Sequence, residues 1–219
     1  GIIRNLNTGE IIQQLYIVKK KIKQPITNIV FMGMGEPFLN YKNVIKACNI
    51  INNKNGFNIS SRKITISTSG ILPKIKKFIQ DELKFKLAIS LNASNNDLRN
   101  KLIPINKKWP IEDLISALKK YIFNKHRPIM FEYVLIENIN DSENDAKLLI
   151  NILKDINCKI NIIPYNNISN EFKRPEILKV EKFTKILNES KFSFRALIRW
   201  SKGEDINAAC GQLVTENES

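Results

Sequence analysis

The sequence predicts an α/β fold in which parallel strands and outer helices form a partial (β/α)6 barrel. Three observations predict it. Short apolar runs rich in β-branched residues alternate with amphipathic segments along all 219 residues, the rhythm of a parallel sheet. No linker, low-complexity stretch or repeat of fixed period interrupts that rhythm. No Gly-x-Gly-x-x-Gly follows the first strand, as a flat, doubly wound dinucleotide fold would want. Short right-handed crossovers therefore favour closure toward a barrel.

Strands are expected over Asn28–Met32, Lys63–Ser67, Lys86–Ser90, Met130–Leu135, Lys159–Ile163 and Phe194–Ile198, each an apolar run bounded by polar punctuation. Helices are expected between them, over Thr8–Lys21, Lys42–Asn53, Pro73–Gln80, Ile111–Tyr121, Glu143–Asp155 and Lys179–Glu189. Thr8 stands before Glu10-Ile11-Ile12, and Asp141-Ser142 before Glu143, where a side-chain oxygen can accept from a free helix N–H. The barrel is expected to occupy residues 1–200, with residues 201–219 as a C-terminal cysteine loop and tail.

Hydrophobic residues at 43% and charged residues at 26% suit a folded globular protein and exclude a disordered one. No apolar run approaches the roughly 20 residues of a membrane helix, and no basic-then-apolar leader is visible, so a cytoplasmic location and no membrane partner are expected. The net charge of +14 and pI near 9.7 point to a polyanion such as RNA. A chain this rich in Lys, Asn and Ile also reflects an AT-rich coding bias. Cys48, Cys158 and Cys210 lie far apart and are odd in number, which argues for reduced thiols rather than a disulfide framework or a metal clip. The chain opens on Gly1 without an initiator Met, which suggests a fragment or processed product.

Chemistry in a parallel barrel sits at the carboxyl ends of the strands. After the first strand comes Gly33-Met34-Gly35-Glu36-Pro37, where glycines allow close backbone approach and a carboxylate suits an ammonium group. A tight turn capped by Glu36 explains the same residues. Ser67-Thr68-Ser69-Gly70, Ser90-Leu91-Asn92-Ala93 and Pro164-Tyr165-Asn166-Asn167 follow later strands. Each is an ordinary turn by itself, but together they place hydroxyls and amides at matching ends. Last comes Ala208-Ala209-Cys210-Gly211-Gln212-Leu213, where a cysteine among small residues reads either as an accessible nucleophile or as a small apolar turn residue. Cys48 and Cys158 read as buried, inert thiols, and His126, the only histidine, as an exposed loop residue.

These motifs, in this order, resemble the RlmN/Cfr family of radical S-adenosylmethionine (SAM) adenine methyltransferases over essentially the whole chain. The match runs from Arg4-Asn5-Leu6 and Pro25-Ile26-Thr27-Asn28 through Met32-Gly33-Met34-Gly35-Glu36-Pro37 and Thr65-Ile66-Ser67-Thr68-Ser69-Gly70. It continues through Ala88-Ile89-Ser90-Leu91, Pro104-Ile105-Asn106-Lys107-Lys108, Glu132-Tyr133-Val134 and Lys159-Ile160-Asn161 to Asp205-Ile206 and Ala208 to Leu213.

The resemblance implies a radical SAM barrel in which Gly35 and Glu36 hold the methionyl part of SAM. Ser67, Ser90, Leu91, Asn92 and Asn166 would complete the SAM pocket. The family usually has His where Asn92 stands, and Asn can hydrogen-bond but not titrate near neutrality. Cys210 would carry the methyl group as S-methylcysteine; a second SAM would supply the radical needed because carbon 2 of adenine is a poor nucleophile.

The implied substrates are adenines of 23S rRNA at the peptidyl transferase centre and of tRNA next to the anticodon, with carbon 8 the target in the Cfr branch. Implied besides are a flavodoxin-type electron donor, a monomer, and a 4Fe-4S cluster. That cluster needs three thiolates in a CxxxCxxC loop, and no such motif occurs here. By the resemblance, the cluster loop, the first strand, a second catalytic cysteine and a small RNA-binding region precede the segment like Gly1 to Leu6. No metal ligand is therefore expected in this chain. Its alternatives to a working methyltransferase are a catalytically dead fragment that only binds SAM or RNA, and an unrelated basic α/β RNA-binding module.

Overall fold

In the computed structural model, residues 3–121, 128–166, 171–192 and 194–201 are described. Six strands, β1 (Ile29–Phe31), β2 (Ile64–Thr68), β3 (Lys86–Ser90), β4 (Ile129–Leu135), β5 (Cys158–Pro164) and β6 (Arg195–Ile198), form one sheet in chain order. β1 runs parallel to β2, β4 to β5 and β5 to β6, with Ile29 opposite Ile64, Ile129 opposite Cys158 and Lys159 opposite Arg195. The helices are α1 (Thr8–Lys21), α2 (Tyr41–Asn52), α3 (Leu72–Gln80), α4 (Asn96–Leu102), α5 (Ile111–Tyr121), α6 (Glu143–Leu153) and α7 (Ile177–Asn188). This is the expected α/β order of parallel strands and crossover helices. Element ends move by one or two residues, and α4 is an addition. The chain divides within β3 into two compact units, Gly1–Ala88 and Ile89–Ser219. The expected boundary between barrel and tail, at residues 200 and 201, adjoins residues 202–219, outside those described.

In the first unit, Asn7 rather than Thr8 caps α1. Glu10 N donates to Asn7 Oδ1 at 3.0 Å and Asn7 N to the Glu10 carboxylate at 2.8 Å, a reciprocal capping box. Thr8 is the first helical residue, and its hydroxyl turns to Asn43 Oδ1 at 3.1 Å. The core of this unit is mostly aliphatic, from Val44 and Ile51 of α2, Ile64 and Ile66 of β2 and Ile75 of α3, with an aromatic cluster within it. Phe38, in the 3-10 turn Pro37–Asn40, is fully buried, with its ring 5.5 Å from Tyr41 and 5.9 Å from Phe78.

In the second unit the two faces of the strands differ, because side chains alternate with a period of two. Ile129, Phe131, Tyr133 and Leu135 of β4 are all fully buried, and Tyr133 stacks on Phe183 of α7 at 5.5 Å. That face is the helix-covered core. The other carries Met130, Glu132 and Val134, with Glu132 opposite Asn161 and Asn161 opposite Leu197. Asn161 Nδ2 contacts Met130 Sδ at 3.0 Å, and Arg199, just beyond β6, reaches the Glu132 carboxylate at 3.7 Å. This face is mixed, with Glu132, Asn161 and Arg199 among Met130, Val134 and Leu197, unlike the wholly apolar set of β4 on the other side, and polar groups of this kind suit a strand face open to a ligand. Ser142 caps α6 in a second capping box with Asp145, as expected from Asp141-Ser142.

Because Phe38 fills a fully enclosed aromatic site, Phe38→Ala should destabilise the chain by about 3–5 kcal/mol. Denaturant unfolding followed by circular dichroism measures this, and a loss under 1 kcal/mol would show that the site collapses freely.

Candidate functional site

The parallel strands end in loops whose backbone groups lie beyond the ladder, and side chains from those loops satisfy them. In the first unit, β1 leads into Gly33-Met34-Gly35-Glu36. Gly35 adopts φ +80°, a conformation that disfavours any side chain, and the space where its Cβ would sit is open, as it is at Gly33. Glu36 is half-buried. Its Oε1 accepts from Phe38 N at 2.8 Å, capping the 3-10 turn, and its Oε2 accepts from both Ser69 N and Ser69 Oγ at 2.7 Å. The turn reading of this segment holds, since Glu36 is its cap, and the turn leaves the glycine backbone open to approach. A carboxylate offers about four lone-pair positions. The three bonds leave room for one further donor, which suits an ammonium group. Ser67, on β2, is buried at 7% exposure, and its Ser67-to-Gly70 turn supplies the Ser69 clamp that sequence spacing did not single out.

In the second unit, Ser90 ends β3 half-buried, Leu91 is fully buried and Asn92 takes φ +56°, a left-handed conformation that Asn tolerates better than most residues. Leu91 N donates to Glu132 O at 2.9 Å, Val134 N to Asn92 Oδ1 at 3.0 Å, and Asn140 Nδ2 to Asn92 O at 2.9 Å. The side-chain oxygen of Asn92 is thus spent on β4, leaving its Nδ2 as the group able to meet a ligand. Fully buried Asn140 also donates to Val134 O at 2.7 Å and accepts from Ile136 N at 2.7 Å. Asn166 follows β5 at 4% exposure, and its Oδ1 accepts from Arg174 Nη2 at 2.8 Å and Ser201 Oγ at 2.6 Å.

Sequence reasoning missed Arg99 altogether. This guanidinium in α4 is fully buried; Nε donates to Leu91 O at 3.0 Å, Nη2 to Ser90 O at 3.0 Å and Nη1 to Asn106 Oδ1 at 2.8 Å. Asn106 in turn donates to Asn96 Oδ1 at 3.0 Å and Asn100 Oδ1 at 2.7 Å. Burial pulls the Arg99 pKa down to about 10, which still leaves it charged at neutral pH. Arg99 is a brace for the Ser90–Leu91 backbone. Its only sequence signal is an arginine within a seven-residue helix whose apolar residues are just Leu98 and Leu102, which periodicity cannot distinguish from a surface residue.

Cys48 in α2 and Cys158 in β5 are buried, as expected, and burial pushes each thiol up to about 12. Both are therefore protonated and poor ligands. Among the described residues no three His, Cys, Asp or Glu side chains gather as a metal site. With three cysteines and no CxxxCxxC in the sequence, the residues present do not fit a 4Fe-4S cluster. Cys210 and His126 lie outside the described residues.

The Radical SAM superfamily model matches residues 3–149. Over 218 residues the chain is 44% identical to the "Probable dual-specificity RNA methyltransferase RlmN" of Spiroplasma citri, covering 98% of this chain and 62% of that protein. Over 217 residues it is 46% identical to the protein of the same name from Dictyoglomus turgidum, covering 97% and 62%. It thus spans about three fifths of the length of these curated relatives. The crystal structure of a radical SAM methyltransferase from Sphaerobacter thermophilus superposes with a TM-score of 0.91 at 40% identity, over 97% of this chain and 63% of that one. A domain of pyruvate-formate lyase-activating enzyme from Bacteroides vulgatus, at 17% identity and a TM-score of 0.59, shares the fold.

Arg99→Met should cost several kcal/mol, since it strands two backbone carbonyls and the Asn106 amide oxygen, at about 1–3 kcal/mol per unsatisfied buried group; urea unfolding tests this, and a change below 1 kcal/mol would refute the brace. In the folded chain at mildly alkaline pH, Cys48 and Cys158 should be alkylated at least ~100-fold more slowly than in denaturant, because the thiolate is the reactive form. Peptide mass spectrometry after timed iodoacetamide treatment reads both rates.

Proposed function

Because the chain belongs to the radical SAM superfamily, we propose that it is the SAM-binding, methyl-transferring part of an RNA methyltransferase that modifies carbon 2 of adenine in 23S rRNA and tRNA. The observation that carries this reading is the Gly33-to-Glu36 turn, with its open glycine backbone and its carboxylate held by Ser69. It occurs in a chain 44–46% identical to proteins named as RlmN RNA methyltransferases.

Gly35 and Glu36 receive the methionyl ammonium. A carboxylate fixed by three hydrogen bonds does this without reorganising, so its charge acts at full strength on the incoming cation. Ser67 adds a hydroxyl from β2. In the second unit, Ser90, Leu91 and Asn92, braced by Arg99, and Asn166, oriented by Arg174 and Ser201, take the remaining polar edges of SAM. Asn92 binds by hydrogen bonding and moves no proton. Cys210 accepts the methyl group on sulfur. In this superfamily the 4Fe-4S cluster supplies the electron that cleaves SAM; the described residues provide no ligands for it, and no role of these residues depends on it. The RNA partner fits the net charge of +14. A target adenine would be unstacked to reach the strand ends, at a cost of a few kcal/mol.

The cysteine inventory favours one second reading, in which this chain binds SAM or RNA without turnover. Joining the chain to a cluster-binding CxxxCxxC segment, then reconstituting with iron, sulfide, a reductant and substrate RNA, separates the two: adenine methylation supports the enzyme, and SAM binding without it supports the binder.

Glu36→Gln removes the charge and one of the two acceptor oxygens, so the melting temperature should fall as Phe38 N or Ser69 N loses its partner. At a temperature where the variant is fully folded, SAM affinity measured by titration calorimetry should fall by about 1.5–3 kcal/mol, tenfold or more. Unchanged affinity would sink the assignment of Glu36. Intact-protein mass spectrometry of the enzyme produced in cells together with its cluster-binding segment should show one methyl on Cys210, lost in Cys210→Ala.

A further inference from the structure

We propose that the last turns of α1 and the loop after α2 form a second RNA-binding surface, where an unpaired base stacks on Tyr16 and flanking phosphates meet Lys19 and Lys20. The inference rests on the reading of this chain as acting on RNA, and places an RNA contact where that reading places none.

The positive charge is concentrated in the first unit. Residues 1–88 contain fifteen Lys and Arg against four Asp and Glu, a net +11, whereas residues 89–219 contain twenty against seventeen, a net +3. No acidic residue occurs between Ile11 and Gly35, or between Pro37 and Gln80. Within this basic unit a depression of about 440 Å³ is lined by Tyr16, Lys19, Lys20, Gly56 and Phe57, a volume in the range of small-ligand sites. Tyr16 is 50% exposed. Lys20 Nζ lies 4.6 Å from its ring centroid, and Lys19 Nζ lies 5.6 Å from that of Phe57. Neither lysine has a carboxylate partner among the described residues. An exposed aromatic ring flanked by unneutralised cations is the arrangement that holds single-stranded nucleic acid by stacking and charge.

The surface is also built rather than incidental. A Cβ on Gly56 would lie 2.3 Å from Ile50 O, so only glycine lets the loop fold back over the end of α2. Gly56 N donates to Asn53 O at 2.9 Å, Asn58 N to Asn53 O at 3.1 Å and Ile59 N to Ile51 O at 3.0 Å. These bonds hold Phe57 beside Lys19 and keep the depression open. Ile17, Val18 and Ile22 are also exposed along the end of α1, but a hollow with an aromatic edge and cations on its rim suits a nucleotide.

Its position gives it a separate task. The end of α1 leads to the amino end of β1, and the loop after α2 leads to the amino end of β2, whereas Glu36 and Ser69 lie beyond the carboxyl ends of those strands. The twelve residues of α2 span about 18 Å at roughly 1.5 Å per residue. RNA bound here is therefore a flanking segment, remote from the base delivered to the strand ends.

The test uses fluorescence anisotropy of the intact chain with a labelled single-stranded RNA, at several salt concentrations. Lys19→Gln combined with Lys20→Gln should weaken binding tenfold or more and reduce the slope of log affinity against log salt by about 1.4, roughly 0.7 per phosphate contact on a single strand. Tyr16→Ala should weaken it roughly five- to a hundredfold, the range for one stacked base, with the slope unchanged, and Tyr16→Trp should restore it. SAM binding should be the same in every variant. Wild-type chain that fails to bind the RNA, or variants that bind it as wild type does, would overturn the proposal. So would an equal loss of binding to duplex RNA, anionic phosphatidylserine vesicles or an acidic peptide, since the surface would then be a plain cation patch. Absence of SAM binding alongside the expected RNA effects would remove the methyltransferase reading and leave this surface standing.

Discussion

Parallel strands stop hydrogen-bonding at their carboxyl ends, and what happens to the polar backbone groups just beyond decides the character of those ends. A buried N–H or C=O without a partner costs about 1–3 kcal/mol, so the loops that follow must carry their own donors and acceptors. Here side chains supply them. Glu36 takes Ser69 N after β2, Asn92 takes Val134 N of β4, Asn140 takes Val134 O and Asn92 O, and Arg99 takes Ser90 O and Leu91 O after β3. Two of these side chains, Glu36 and Asn92, are also candidate ligand-binding residues, and Arg99 holds the backbone of two more, Ser90 and Leu91.

That double duty has a physical consequence. A side chain already fixed by structural hydrogen bonds meets a ligand without losing much conformational freedom, which preserves affinity. Glu36 keeps an unfilled acceptor position after three bonds, and Asn92 keeps its Nδ2 after its Oδ1 is spent. Arg99 is the extreme case, with guanidinium bonds to the backbone of Ser90 and Leu91 and to Asn106, and with no exposure to solvent. It touches no open space and acts through the segment it holds.

The division of charge follows a different logic. Packing requires apolar residues beneath the helices of both units but says nothing about the sign of charge on their outer faces. The first unit nonetheless carries most of the basic excess and the second is nearly balanced. Fold stability does not require that asymmetry, and mutual repulsion among the lysines works against it. A polyanion bound to that unit would relieve it.

The α/β order was legible because periodicity and punctuation are local. The bounds of α1, α5 and β3 match the sequence expectation, and the Ser142 cap was visible one residue before Glu143. The polar clusters that hold Gly35, Glu36, Ser67, Ser90, Asn92 and Asn166 were legible as strand ends because a parallel fold announces where its carboxyl ends lie, while their assignment to SAM came from the family resemblance. The seven-residue α4 was missed because Asn96–Leu102 is mostly polar and buries an arginine, opposite to the amphipathic rule. Which partner each polar side chain takes was equally invisible: Glu36 meets Ser69 across 33 residues, and Asn92 is held by Val134 and Asn140 across 42 and 48. Sequence alone determines the order of strands and helices and the chemical types gathered at their ends, since both follow from short-range pattern. Tertiary structure decides which of those groups are spent on the protein and which stay open to a ligand, because that depends on contacts between segments far apart in the chain.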